Sequence, residues 1–226
     1  MTAPRPSPPG ALLVDFGGVL TSSVFDAFAA FSSGAGAAPD LVARLLATDE
    51  ESSRLLVEHE SGRLDDEAFE LGLAARLRAH GVDDPGAGLL QRLTATLVAD
   101  EAMIAAVKRL RAAGIPTAIV SNSLGRHSYE GYDLLDIADE VVLSGDVGVR
   151  KPSRRIFQIA CERLGVEPEE SVLVDDVERN LSGAARLGIR GVLHVEADRT
   201  IDELSALFGI DLRTPAPEPR PGGLTR

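Results

Sequence analysis

Four short groups of residues carry the polar chemistry of this chain: Asp15 followed by Phe16-Gly17-Gly18, Ser121-Asn122, Lys151-Pro152 and Asp175-Asp176. Asp15 closes the apolar run Leu12-Leu13-Val14, so it reads as a carboxylate delivered to the end of a buried strand. Gly17 and Gly18 allow positive φ there and let backbone N–H groups approach an anion. Asp175-Asp176 ends a second apolar run, and two adjacent carboxylates at a buried strand end repel unless a cation compensates them. Taken singly, most of these have an ordinary explanation: Asp15 as a turn aspartate, Ser121-Asn122 as a helix N-cap, Lys151 as a solvated lysine. Their chemistry depends on whether the fold brings them together.

The surrounding elements predict that it does. Apolar runs mark strands at 12–14, 116–120, 141–143, 171–174 and 191–195, three of them ending on the polar groups. Beyond residue 100 they alternate with helical stripes (Met103, Val107, Leu110; Ile156, Ile159, Ala160, Leu164; Leu181, Ala184, Ala185, Leu187) that stop at Gly114, Gly165 and Gly188. That alternation predicts an α/β fold, a doubly wound parallel sheet whose ligands sit beyond the carboxyl ends of the strands. A loop over 145–152 would hold Lys151 above the same edge, with Pro152 in the first turn of the next helix. Between the first two strands there is helical periodicity alone, with Asp65 as an N-cap before a helix running toward His80. The expected division is a core of 11–21 and 100–212, an inserted α-helical cap over 22–99, and disordered tails at 1–10 and 213–226.

Composition narrows the partners. Of 226 residues, 44% are hydrophobic, enough for a sizeable core. The formal charge of −12 argues against nucleic acid and anionic membrane surfaces, and it obliges any phosphate site to supply local cations or a metal. No run is long enough to span a bilayer, and the proline-rich start does not suit a secretory signal. The single Cys161 cannot form an internal disulfide, so a cytoplasmic location is expected. His59, His80, His127 and His194 show no ligand spacing and none is assigned to a metal.

The wording of the motifs then resembles a known family. Leu143-Ser144-Gly145-Asp146-Val147-Gly148-Val149-Arg150-Lys151-Pro152, Val174-Asp175-Asp176-Val177-Glu178-Arg179-Asn180-Leu181 and Ser61-Gly62-Arg63-Leu64-Asp65-Asp66-Glu67-Ala68-Phe69 are similar to the haloacid dehalogenase superfamily. The similar branch includes the N-terminal phosphatase of soluble epoxide hydrolase and bacterial sugar-phosphate phosphatases. The resemblance implies a phosphatase of small phosphorylated metabolites, monomeric or homodimeric, working through an aspartyl-phosphate on Asp15. It implies that Ser121 and the amides of Gly18 and Val19 bind phosphate oxygens, that Asn122 faces the leaving group, and that Lys151 neutralises charge in the transition state. It further implies Mg²⁺ held by Asp15, the Gly17 carbonyl and the pair Asp175-Asp176, with Asp176 the direct ligand and Asn180 steadying the acidic loop.

Gly17 departs from the pattern. Many members carry there a second aspartate that protonates the leaving group, and Asp146 and Asp26 are weak substitutes for it. Dehalogenases and phosphonate-cleaving enzymes also lack that aspartate, which keeps both as rivals. The first, however, characteristically replace the acidic pair, and the second use a cap lysine, of which 22–99 has none. A degenerate, non-catalytic binding protein is the remaining alternative. Six cap arginines, Arg44, Arg54, Arg63, Arg76, Arg78 and Arg92, are candidates for setting specificity or for pairing with local acids.

Overall fold

The computed structural model describes residues 9–83, 85 and 87–213. Strand β1 (Ala11–Val14) is followed by five helices, α1 (Val24–Gly34), α2 (Leu41–Thr48), α3 (Glu50–Glu60), α4 (Asp66–Ala79) and α5 (Leu89–Thr94). Then come α6 (Glu101–Ala112), β2 (Thr117–Ser121), α7 (Leu134–Ile137), β3 (Glu140–Leu143), α8 (Ser144–Val147) and α9 (Arg154–Leu164). The chain continues through β4 (Ser171–Asp175), α10 (Glu178–Ala185), β5 (Arg190–Leu193) and α11 (Ala197–Phe208).

The five strands form one parallel sheet in the order β3-β2-β1-β4-β5. β1 lies at its centre, buried on both faces, and the period-two pleat splits its side chains between two cores. Leu12 and Val14 pack with Met103 and Leu110 of α6 and Leu204 of α11. Leu13 turns the other way, onto Ile156 and Phe157 of α9 and Ala184 of α10. A third cluster, built from Phe69, Leu73 and Leu77 of α4 with Leu45, Leu89 and Leu93, belongs mainly to α1–α5, with Val82 joining it between α4 and α5 and Leu124 packed against it from beyond β2. These five helices therefore close a hydrophobic core of their own. The two chain segments leading into and out of them run antiparallel, with a bridge between Thr21 and Ala99 and a hydrogen bond from Asp100 N to Leu20 O at 2.9 Å.

Local chemistry accounts for several boundaries. Asp65 caps α4 by accepting from the Ala68 N–H at 2.8 Å, as expected, and Asp49 and Asp100 do the same for α3 and α6. Other expectations change. The loop over 145–152 begins as the helical turn α8, and Pro152 stands before the Ser153 N-cap rather than inside the first turn of α9. The fifth strand ends at Leu193, so His194 lies past it. Helix α11 was not anticipated, although Ile201, Leu204 and Phe208 make an apolar stripe. The disorder expected at both ends falls mostly outside the described residues. At the margins, Gly10 N–H donates to Glu170 O and Arg213 pairs with Asp198 and Asp202, so the ordered chain reaches a little further than expected.

Candidate active site

Since β2, β1 and β4 are neighbours and parallel, their carboxyl ends carry Ser121, Asp15 and Asp175 to one edge of the sheet. Asp15 keeps its backbone in the sheet, its N–H donating to Val174 O at 2.9 Å, while its side chain is 10% exposed. The Lys151 ammonium, 1% exposed, donates to Asp15 Oδ1 at 2.7 Å and to Asp175 Oδ2 at 2.8 Å. This is no solvated lysine. Asp175 Oδ1 in turn accepts from Val177 N–H and from Asn180 Nδ2, each at 2.9 Å, so Asn180 does hold the acidic loop.

The electrostatics are short of positive charge. Asp15, Asp175 and Asp176 can each place an oxygen within 4.8 Å of the others, and Lys151 is the single cation in direct contact with any of them among the described residues. Burial pushes the Asp15 carboxyl up to about 7 against the pull of Lys151, and burial with Asp175 alongside pushes Asp176 up to about 6. Burial works to lower Lys151, but Asp15 and Asp175 hold its ammonium above the ordinary lysine value, so it stays charged. Three clustered carboxylates, each offering an oxygen and only partly neutralised by one ammonium, suit a hard dication. Asn180 Oδ1, buried with no partner among the described residues, adds a neutral oxygen beside them.

A cavity of about 340 Å³ opens over this cluster, lined at its base by Asp15, Gly17, Ser121, Lys151 and Asp176. The turn after Asp15 explains its glycines differently from the sequence expectation. Gly18 has φ +82°, and a Cβ there would lie 2.3 Å from Asp176 Oδ2. Gly17 does not use positive φ; it admits Val24, whose Cγ2 would be 2.8 Å from a Cβ. The amides of Val19, Leu20 and Thr21 all turn to Phe16 O, and that of Gly18 faces Thr21 Oγ1. Gly18 and Val19 do not line the cavity, so their expected phosphate role is not retained. Phe16 and Gly17 occupy that place.

Asn122 is also reassigned. Its Oδ1 accepts from Lys151 N–H at 2.8 Å and its Nδ2 donates to Lys151 O at 3.2 Å. Both halves of the amide are thus spent on fixing the backbone that carries the ammonium. Asp146 and Asp26 are exposed and lie outside the lining of this cavity. The carboxyl that does line it from the helical insertion is Glu60, at the end of α3. Glu60 is buried against Arg150, and burial pushes it up to about 7. Tyr129 was missed as well: its hydroxyl donates to Ser121 Oγ at 2.9 Å, and its ring packs on Phe16. No periodic signal marks Tyr129, which stands on a single 3₁₀ turn, Arg126–Tyr129.

Comparison with known proteins identifies the family and the fold. A family model described as haloacid dehalogenase-like hydrolase matches residues 9–188. Acyl-CoA dehydrogenase family member 10 of Mus musculus is 37% identical over 121 residues, 53% of this chain and 11% of that one. A glyceraldehyde 3-phosphate phosphatase of Methanopyrus kandleri is 37% identical over 91 residues, 38% of this chain and 39% of the relative. The matched stretches thus span well under half of these relatives. A crystal structure of a dehalogenase superposes with a TM-score of 0.66 at 24% identity, covering 91% of this chain and 97% of that one, which is a likeness of fold.

Proposed function

The chain belongs to the haloacid dehalogenase-like hydrolase family, and from that premise we propose that it hydrolyses phosphate monoesters of small metabolites in the cytoplasm, with Mg²⁺ at the Asp15, Asp175, Asp176 cluster. The observation that carries this reading is the Lys151 ammonium bridging Asp15 and Asp175 beneath the cavity. A buried nucleophile needs such a fixed cation to accept a dianionic group.

In this mechanism an Asp15 carboxylate oxygen attacks phosphorus, the bond to the ester oxygen breaks, and its electron pair leaves on the alcohol oxygen, which takes a proton. Water then attacks phosphorus, releasing inorganic phosphate and restoring the Asp15 carboxylate. Lys151 holds positive charge against the transferred oxygens, and Ser121, oriented by Tyr129, supplies a hydroxyl at the same edge. Asn122 fixes Lys151 from behind. Bound metal would screen the anionic nucleophile from the anionic phosphate, with Asp176 and the Gly17 carbonyl as further oxygen donors. Because Gly17 supplies no acid, and general acid–base help is typically worth about 10²–10⁴-fold, esters with poor leaving groups react slowly and aryl esters less so.

Asp15→Asn is expected to reduce phosphate release by about 10⁴-fold or more while the protein stays folded. EDTA is expected to stop the wild type, with Mg²⁺ restoring it. Turnover that survives EDTA points instead to the second reading, a metal-independent dehalogenase, which Gly17 favours and the intact Asp175-Asp176 pair opposes.

A further inference from the structure

The cavity is divided by charge. Its cations, Arg150, Lys151 and Arg179, all come from the sheet domain, and its far wall comes from the helical insertion. That wall is made by Phe25 and Phe28 of α1, Ala43, Leu46 and Ala47 of α2, and Leu56 of α3. None of the six arginines of the insertion reaches it. Arg44, Arg63 and Arg76 pair with Asp40, Glu58 and Asp49, and Arg92 lies 5.3 Å from the centre of the Phe31 ring. The wall's polar groups are few, and most are already engaged. Thr94 donates its hydroxyl to Leu90 O at 3.0 Å and Glu60 faces Arg150, which leaves Ser53. Phe25 is 55% exposed at this cavity, an aromatic side chain kept in water beside a phosphate-sized site.

Such a wall rewards carbon and penalises hydroxyls. Each methylene moved from water onto it gains the transfer free energy of apolar surface. Each sugar hydroxyl placed there loses its water partners and finds almost no replacement. Resting on the phosphomonoesterase reading above, we propose that the cavity takes monoesters whose alcohol portion is an apolar aliphatic or aromatic body, and that it discriminates against sugar and amino-acid phosphates. The phosphate lies on Lys151 at the sheet edge and the carbon body lies along α1–α3.

The test compares ethyl, butyl and hexyl phosphate with glucose 6-phosphate, which matches hexyl phosphate in carbon count. Release of inorganic phosphate with Mg²⁺ is expected to rise in kcat/KM by about four-fold per methylene until the wall is covered. Hexyl phosphate is expected to exceed glucose 6-phosphate by about ten-fold or more. Phe25→Ala and Ala47→Asp change exposed wall positions outside the packed cluster of the insertion, so both should fold. Each is expected to flatten the chain-length series, and Ala47→Asp more strongly. A flat series in the wild type, or glucose 6-phosphate equal to hexyl phosphate, overturns the proposal. Calorimetric binding of the same four esters to Asp15→Asn with Mg²⁺ separates the two readings. Preferential binding of hexyl phosphate without any wild-type turnover supports the apolar wall while sinking the phosphatase, and equal binding sinks the wall.

Discussion

The sheet domain and the helical insertion both line the cavity over Asp15 but are built on opposite principles. At the sheet edge, polar groups are buried and mutually dependent: Lys151 satisfies Asp15 and Asp175, Asn180 and Val177 N–H complete Asp175, and Asn122 fixes Lys151. In the insertion the interior is apolar around Phe69, Leu73 and Leu77, with Arg63–Glu58 at the surface and Arg76–Asp49 half-buried. A buried network held by one cation fails as a unit, whereas an aliphatic wall changes by increments. Chemistry placed on the first and recognition on the second can therefore vary independently at the apolar wall positions, which carry no charge to couple to the sheet edge; Glu60 of α3, paired with Arg150, is the exception.

The largest effect that would break this comparison is at Lys151. Lys151→Met removes the cation shared by two buried carboxylates and is expected to cost about 3–5 kcal/mol of stability together with all turnover. Chemical denaturation with and without Mg²⁺ measures it, and added metal should recover part of the stability but not the activity. A variant as stable as wild type without metal would mean that the carboxylates are already protonated and that the network is not held by charge.

A smaller effect tests whether the insertion is its own unit. Leu73 is fully buried in the cluster of α1–α5, and Leu73→Ala is expected to cost about 2–4 kcal/mol. Hydrogen exchange should then lose protection in α1–α5 while β1, β2 and β4 keep theirs. Loss spread evenly over the sheet would show that the two regions unfold together and that the separation is one of composition only.

Much of the sheet edge was legible because it follows from periodicity. A run such as Leu12-Leu13-Val14 has to be a buried strand, and parallel strands have to bring Asp15, Ser121 and Asp175 to the same side. What escaped depends on contacts made across the fold. Lys151 is placed over this edge by the 145–152 loop already in the sequence, but its simultaneous contact with Asp15 and Asp175 is not legible there. Asn122 could face a ligand or a backbone, and only the position of the 145–152 segment decides for the backbone. Tyr129 sits in no repeating pattern, and Glu60 reads as one more polar residue of an amphipathic helix until Arg150 arrives from residues 90 positions away. Helix α11 is different, because the spacing of Ile201, Leu204 and Phe208 is itself an apolar stripe at helical period.

The smallest expected effect sharpens the boundary between the two regions, because Glu60 belongs to the insertion and its partner Arg150 to the sheet domain. Burial raises Glu60 from 4.5 to about 7, with Arg150, Lys151 and Arg179 opposing. An acid raised on folding adds stability that is fully present below its unfolded pKa and is lost as pH rises through the folded value, so Glu60 weakens the fold between about pH 4.5 and 7. Asp15, raised from 3.8 to about 7, and Asp176, raised from 3.8 to about 6, act with the same sign in the metal-free chain. His194, lowered by burial, acts with the opposite sign. On the proposed assignment of Mg²⁺ to the Asp15, Asp175, Asp176 cluster, saturating metal is expected to compensate Asp15 and Asp176 and not Glu60. With metal present, the wild type is therefore expected to lose a few degrees of Tm between pH 5 and pH 8, where about 1 kcal/mol corresponds to 2–4 °C. Glu60→Gln should flatten that loss, since His194 contributes equally to both proteins, and without metal the variant should keep the part due to Asp15 and Asp176. An unchanged slope in Glu60→Gln with Mg²⁺ would place the pH response wholly at the sheet edge and leave Glu60–Arg150 as an ordinary strut between the two regions.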